Sequence, residues 1–428
     1  MRQEILANAS LNLDFANRQA TVGSDPADIT SAFTFARASI AEGSPSGSTV
    51  KTYAADAPRL VRQGGVSGLL VERARDNLLV YGSDLAQAAW TKGNGAQAVG
   101  NSAQGLDGLA TASVCTDTAA VGSPAGFWAQ TRAIPATNQW VGAEIYVRRS
   151  NGRYLSLSIA MVGGTTALGG TVIVDLRAAV LMSVSGPTVL GRVEPAGEGM
   201  VRIQVAIQNT TGNTAAVIQI QRRSNSDVPV VFTVDRASMF YGSQAPSSIK
   251  TGATAFTRAA ETVTVSSFQK DWFNGGQGTM FFEGWMQGGV EVDHVLFHAR
   301  NAAGEFLEIA SEGSSQKLKA LAFAAGAVTA YGELPGVRQA PMLVRAALRY
   351  TAGSWSYAAS GLFFPTDGVF PSTSTLVAAT QGTGAVPNVS EIQIGHRQGG
   401  SQFDGVVRQF AYFPYALNQI DLDVLLHV

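Results

Sequence analysis

Short runs of alternating apolar and polar residues, separated by turn-forming residues, recur along most of this chain. Met200 to Ile207, Ala216 to Gln221 and Val230 to Asp235 are clear cases, with Gly, Asn and Pro between them. A period of two sends successive side chains to opposite faces of an extended strand. The patterns return at intervals of roughly 12 to 20 residues, as in a sandwich or jelly roll. The 47 glycines are spread evenly. Even spacing suits turns between strands and does not suit a collagen-like or low-complexity chain. The expectation is an all-β fold, with an N-terminal attachment segment followed by two β-sandwich (jelly-roll) domains.

Boundaries follow from where the pattern changes. Residues 1–82 carry mixed signals: Leu11 to Phe15 alternates, as does Ala32 to Ser39 with Phe33 and Phe35 on one face, and Ala57 before Pro58 is extended. This segment is expected to wrap around or dock onto something else. Residues 83–246 read as the first sandwich. Gln244 to Gly252 is small, polar and contains Pro and Gly, so residues 247–265 are expected to form a linker. Residues 266–428 read as the second sandwich. It closes with Glu391 to Pro414, two strand patterns joined by a Gly-rich hairpin and followed by a short helix-like end. In the last strand Val406, Arg408, Phe410 and Tyr412 are expected on one face, and Val407, Gln409, Ala411 and Phe413 on the other.

Composition excludes several classes. Charged residues make up 14% of the chain, against roughly 25% in average soluble domains. Either much of the surface is buried against other subunits, or the outer faces use Ser, Thr, Gln and Asn instead of charge. No run of about 18 apolar residues occurs, so no membrane insertion is expected. The 30 basic and 31 acidic side chains leave a net charge of -1 with no basic stripe, which argues against nucleic-acid binding. Cys115 is the only cysteine, so neither an intrachain disulfide nor a Cys-based zinc site can form. Met1 to Ser10 lacks an apolar core of secretory length, so folding in a bacterial cytoplasm without a signal peptide is expected.

No Gly-x-Ser-x-Gly elbow, P-loop or His-Glu-x-x-His is present. The candidate chemistry is sparser. Glu291 and Asp293 are two apart on an expected strand, where they could hold Ca²⁺, serve glycoside hydrolysis, or form a solvated strand edge. His294 and His298 also share a face on that strand. Trp128 and Trp272 lie beside turn signals and could offer an aromatic face to a sugar, or be core; Trp285 and Trp355 sit in alternating strands and read as core. His396 and Asp404 lie in the Gly-rich hairpin. Either could touch a sugar, but fixing the turn is the competing role. No cofactor is expected apart from Ca²⁺ at Glu291 and Asp293.

Three stretches carry a resemblance: Met280 to Trp285, Leu348 to Tyr357, and Ile394 to Leu417 with its Phe403-Asp404-Gly405 element. Together they resemble the concanavalin A-like, laminin-G-like jelly-roll family over about 150 residues. The N-terminal part resembles the corresponding segment of tailed-phage fibre and head-spike proteins. The matching residues are Leu13 to Phe15, Phe33 to Ser39, Ala57 to Leu60, Gly68 to Leu79 and Ala88 to Lys92. Such proteins often continue with a carbohydrate-module-like sandwich and a laminin-G-like domain, the order read here. The resemblance implies a protein on the surface of a virion or gene-transfer particle. It would be homo-oligomeric, would contact other virion proteins and would bind host surface polysaccharide. Glycosidases on this fold usually carry Glu-x-Asp-x-x-Glu on a central strand. Here Glu291 and Asp293 are followed by His294, Val295 and Leu296, so the second Glu is missing. The expected role is therefore adhesion without catalysis.

Overall fold

The structure is a computed structural model. It describes residues 1–23, 25–120, 123–223, 229–265, 273–287, 292–313, 315, 317–333, 341–351, 354–363, 375–378, 381–382 and 386–427. Among these residues nearly all regular structure is antiparallel strand, and the α-helices are Arg2–Leu6 and Gln419–His427. The all-β expectation therefore holds, and the helix-like C-terminal end is a helix.

The chain divides into two units. The first comprises Met1–Ser39, Ala54–Arg73 and Ala259–Val428, and the second Ile40–Tyr53 and Ala74–Arg258. Residues 1–82 do not stand apart as a separate attachment segment, because their strands complete sheets formed by later parts of the chain. Leu11–Asp14 pairs with Gly405–Phe413, and Thr34–Ala36 pairs with Thr262–Val265. Residues 247–265 are likewise not a free linker. Phe256–Arg258 pairs with Arg75–Asn77, and the Ile249 carbonyl accepts a 2.9 Å bond from the Asn77 amide. Small polar composition signalled a tether, but Ala245, Ser248, Ile249 and Thr251 are buried.

The first unit is a sandwich of a ten-stranded and an eight-stranded sheet. Gly405–Phe413 lies inside the larger sheet, between Leu11–Asp14 and Gln277–Met286. The smaller sheet runs Gln381–Gly382, Ala327–Glu333, Leu318–Ala324, Phe306–Ser311, His294–Arg300, Glu391–Ile394, Thr262–Val265 and Thr34–Ala36. Apolar residues from both sheets fill the space between them: Leu13, Phe33, Val263, Phe282, Phe297 and Phe410 all belong to one core. The second unit packs two six-stranded sheets around Trp90, Cys115, Trp128, Ile145, Ile203 and Phe232.

Two expectations about the C-terminal stretch change. Glu391–Ile394 belongs to the eight-stranded sheet and Gly405–Phe413 to the ten-stranded one. The Gly-rich segment between them is thus a crossing from one sheet to the other and not a hairpin. Gly395, Gln398, Gly399, Ser401 and Asp404 all have positive φ, which turns the chain sharply enough to make that crossing. The faces of the last strand also differ from strict alternation. Glu283 pairs with Gln409 and Gly284 with Val407, so Arg408 is an extra residue in a bulge. Val407, Phe410 and Tyr412 face the main core, while Val406 packs with Trp285 on the other side.

A buried cluster of charges ties the first unit together. Glu261 accepts from Arg37 Nη1 at 2.8 Å, from Arg59 Nε at 2.7 Å and Nη2 at 2.6 Å, and from the Glu72 amide at 2.9 Å. Glu72 also pairs with Arg59 at 2.8 Å. Two arginines thus face two carboxylates, all of them buried. Burial opposes the charge on Arg59, but Glu261 and Glu72 more than offset it and hold its pKa above the ordinary value. Removing one partner from such a cluster leaves an uncompensated buried charge. Glu261→Ala is expected to lower the stability of the first unit by about 3–5 kcal/mol, read as a drop in the urea midpoint; a loss below about 1 kcal/mol would contradict this role.

Candidate functional site

The eight-stranded sheet presents a patterned outer face. In Leu318–Ala324 the residues turned to the core are Leu318, Ala320 and Ala322. Lys319, Leu321 and Phe323 therefore point outward, and each is partly exposed. In Phe306–Ser311 the inward residues are Leu307 and Ile309, which turns Phe306 and Glu308 outward. Within Leu318–Ala324 this reverses the usual distribution of size, since Ala320 and Ala322 face the core and Leu321 and Phe323 face outward.

Pairing across the strands sets these outward residues in rows. His298 lies opposite Glu308, Glu308 opposite Leu321, and Leu321 opposite Tyr331. A neighbouring row sets Arg300 opposite Phe306, Phe306 opposite Phe323, and Phe323 opposite Val328. The Phe306 and Phe323 rings are stacked, with centroids 5.7 Å apart and planes at 16°. Val328 is 51% exposed. A third row sets Lys319 opposite Glu333. Tyr331 Oη donates to Glu333 at 2.9 Å, and Lys317 also pairs with Glu333. The face thus combines a stacked aromatic pair, with the His298 ring 4.9 Å from the Phe306 ring, and charged and hydroxyl groups at its margins.

The segment that crosses between the sheets supplies one of those margins. Arg397 grips Glu308 through two bonds, one of them Nε to Oε2 at 2.7 Å. His298 Nδ1 donates to the same carboxylate at 2.9 Å. Burial pushes Glu308 up, yet the bonds from His298 and Arg397 outweigh it and hold the carboxyl below its ordinary range. Glu308 is therefore ionised near neutrality and suited to fixing Arg397, not to donating a proton. In the second unit a small cleft is lined by Ile40, Glu42, Thr52, Lys250, Phe256 and Arg258. Its carboxylate is already engaged by Arg236 and Ser248.

The residues singled out from sequence do not gather at one site. Trp128 is 0% exposed and packs edge-on against Phe232 at 5.2 Å, so its ring has no face to offer a sugar. The turn signals beside it misdirect, because Trp128 sits on the inward side of its strand with Gln130. Asp404 is buried, accepts from the Arg73 amide at 2.8 Å and pairs with the Arg73 guanidinium at 2.7 Å. Its role is to hold the chain at φ +50° where the crossing enters the last strand. Asp293 lies just before the His294–Arg300 strand and accepts from the Gly313 amide at 3.0 Å. Trp272 and Glu291 lie outside the described residues. Among the described residues no group of three or more His, Cys, Asp or Glu side chains converges as a metal site would need. Trp285 and Trp355 are core, as read. The sequence reading missed Phe306, Glu308, Phe323, Tyr331 and Arg397. The available signal was the run Leu318 to Ala324, where alanine alternates with large residues.

His396 is 2% exposed, and its surroundings fix its protonation. Nε2 lies 3.1 Å from the Val263 carbonyl, which can only accept, and Nδ1 lies 3.3 Å from the Gly399 amide, which can only donate. The ring is the neutral Nε2–H tautomer, and adding a proton at Nδ1 would set two donors against each other. Burial lowers the pKa to about 4. The unfolded chain takes up this proton near pH 6.5, so unfolding becomes easier as pH falls from about 6.5 to about 4, by at most about 1.4 kcal/mol per pH unit. Above that window His396 adds no pH dependence. His396→Gln, which can donate and accept in the same places, is expected to flatten this part of the stability profile. An unchanged profile, or an imidazolium signal by ¹⁵N NMR at pH 6, would contradict the assignment.

No family model and no curated protein sequence matches the chain. Among solved structures, the CBM40 of the Ruminococcus gnavus IT-sialidase bound to alpha2,3 sialyllactose aligns at 13% identity over 36% of this chain and 84% of that one, with a TM-score of 0.28. The Trypanosoma rangeli sialidase in complex with the inhibitor DANA aligns at 8% identity over 73% of this chain and 60% of that one, with a TM-score of 0.26. Domains LG4-5 of the mouse laminin alpha1 chain align at 10% identity over 67% and 90%, with a TM-score of 0.23. The all-β assignment rests on the sheets described above and not on likenesses of this degree.

Proposed function

We propose that this chain is a spike or fibre protein on the surface of a virion or phage-like particle, and that it binds host-cell polysaccharide for adsorption without cleaving it. The observation that carries the binding part is the outer face of the eight-stranded sheet, with its stacked Phe306 and Phe323 and, beside them, Arg300, Tyr331 and Arg397. A pyranose has a C–H-rich face that packs on an aromatic ring and a rim of hydroxyls that seek charged and polar groups. This sheet offers both, side by side. The particle setting is supported by the resemblance of Phe33 to Ser39 and Gly68 to Leu79 to fibre and spike proteins. On this reading the protein works as a homo-oligomer fixed to other virion proteins, and weak contacts are multiplied by copy number.

The non-catalytic part is supported by the state of two buried carboxylates, Glu308 on the eight-stranded sheet and Glu283 on the ten-stranded one. Hydrolysis of a glycoside needs a carboxylic acid that keeps its proton near neutrality. Glu308 is held ionised by His298 and Arg397. Burial raises the Glu283 pKa, but Arg2, Arg345 and Arg408 outweigh that and hold it low.

Retention on immobilised host polysaccharide tests the reading. Phe323→Ala and Phe306→Ala are each expected to weaken binding by about 1–2 kcal/mol, roughly tenfold, with the fold intact. Undiminished binding in both variants would sink the proposed face. Shortening of the polysaccharide by the purified chain would make the protein a depolymerase instead. Particles lacking the chain that still adsorb normally would remove the adsorption role.

A further inference from the structure

The carboxylate of Glu283 gathers three arginines on the outer face of the ten-stranded sheet. Arg345 Nε and Arg408 Nη1 each donate to Oε1 at 3.1 Å, and Arg2 Nη2 pairs with Oε2. Among the described residues none of the three has an ion pair with any other carboxylate. Strand pairing sets Asp14, Gln409, Glu283, Arg345 and Ser360 in one row. Gln409 is neutral, and the Asp14 carboxylate is turned to Asn17, which donates through its main chain at 3.0 Å and its side-chain amide at 2.8 Å. The Leu426 carbonyl accepts from Arg345 Nη1 at 3.3 Å and supplies only a partial charge. Three full positive charges therefore meet one full negative charge.

Other arginine clusters in the chain are balanced. Arg37 and Arg59 face Glu261 and Glu72, Arg236 faces Glu42, Asp107 and Asp235, and Arg192 and Arg202 face Glu144 and Glu194. At Glu283 burial pushes the Arg345 guanidinium below its ordinary value, and Arg2 and Arg408 add to this against the pull of Glu283. Donors are also in surplus. Nε and Nη2 of Arg408, and Nε and Nη1 of Arg2, bond to no described residue, and the Arg408 side chain is 42% exposed. The bulge in the last strand is what brings Arg408 onto the face that Glu283 already occupies.

The cluster lies between two covered parts of that face. Phe281 and Trp285 flank Glu283 two residues away on its strand, and Ala347 and Leu343 flank Arg345 on the next. The helices Arg2–Leu6 and Gln419–His427 pack over Phe281 and Ala347, while Val61 and Leu70 pack over Trp285 and Leu343. We propose that Arg2, Arg345 and Arg408 bind a tetrahedral oxyanion, a phosphate or sulfate group, between these two covers. A guanidinium offers its donors as a planar fork that matches such a group. Glu283 holds the three forks together and leaves their other N–H groups to the anion. Its own charge keeps the affinity modest. The site is on the sheet opposite the aromatic face, and it goes beyond the reading above without depending on it.

Calorimetric titration of the intact chain with inorganic phosphate, and in parallel with glucose 1-phosphate, tests this at constant ionic strength in chloride. One saturable site is expected, and about 10 mM phosphate should raise the melting temperature by about 2–4 °C over chloride alone. Arg408→Gln should weaken binding about tenfold or more and remove the rise in melting temperature. Arg2→Gln is the second variant if Arg408→Gln fails to fold. Phe323→Ala should bind phosphate as the wild type does, which separates this site from the sugar face. Equal affinities for the two ligands support the site with the free ion as its occupant, and tighter glucose 1-phosphate supports it with a group carried on a sugar. No heat or stabilisation beyond chloride, or binding that both arginine variants leave intact, overturns the proposal.

Discussion

The first unit closes on the carboxylate of Glu261. This one group receives bonds from Arg37, Arg59 and the Glu72 main chain, residues distant from it in sequence but adjacent in space. Buried ion clusters are weak sources of net stability, since desolvation opposes the attraction. What they contribute is a condition: the four charges are tolerable only when all of them arrive together. That condition fixes where Thr34–Ala36 and Leu60–Gln63 enter their sheets, beside Thr262–Val265 and beside Val66–Val71 respectively. The N-terminal residues are therefore integral to the sandwich whose larger part is C-terminal.

The outer face of the eight-stranded sheet depends on that closure. Thr262–Val265 pairs with Glu391–Ile394, which pairs with His294–Arg300, and the patterned strands follow. The crossing segment leaves Glu391–Ile394 and bends back so that Arg397 reaches Glu308. His396, one residue earlier, bonds to the Val263 carbonyl on the strand that follows Glu261. Closure of the core and shaping of the face thus meet in one short segment, and its left-handed residues bear the sharp turns. The alanines of Leu318–Ala324 leave the core side thin, while Leu321 and Phe323 are kept toward solvent at the cost of exposed apolar area. On the proposed reading these outward residues form the contact face.

Much of the architecture was legible in the sequence wherever the physics is local. Strands such as Val201–Gln208 and Gln277–Met286 announce themselves by a period of two or a dense apolar run, and the even glycines announce the turns. Pairing partners were not legible, because Leu11–Asp14 carries no mark of the distant strand beside it. The same holds for the Gly-rich crossing: its residues specify sharp turns, but whether the strands on either side share a sheet is decided elsewhere. The bulge at Arg408 was hidden for a related reason, since it is set by pairing with Glu283 and Gly284. For Trp128 the sequence left a sugar-facing ring and a core ring both open, because nearby turn residues say nothing about which side of a strand a ring occupies. The sugar-facing candidates were visible in principle as an inverted size pattern and were passed over because no single residue there signals chemistry.

A crystal structure of the chain with an oligosaccharide cut from host surface polysaccharide would test the central claim most directly. The sheet face predicts sugar density over Phe306 and Phe323, with hydroxyl groups reaching Arg397 or Tyr331. Density confined to the cleft beside Glu42 and Phe256, or a fully soaked crystal with no sugar on the eight-stranded sheet, would contradict it.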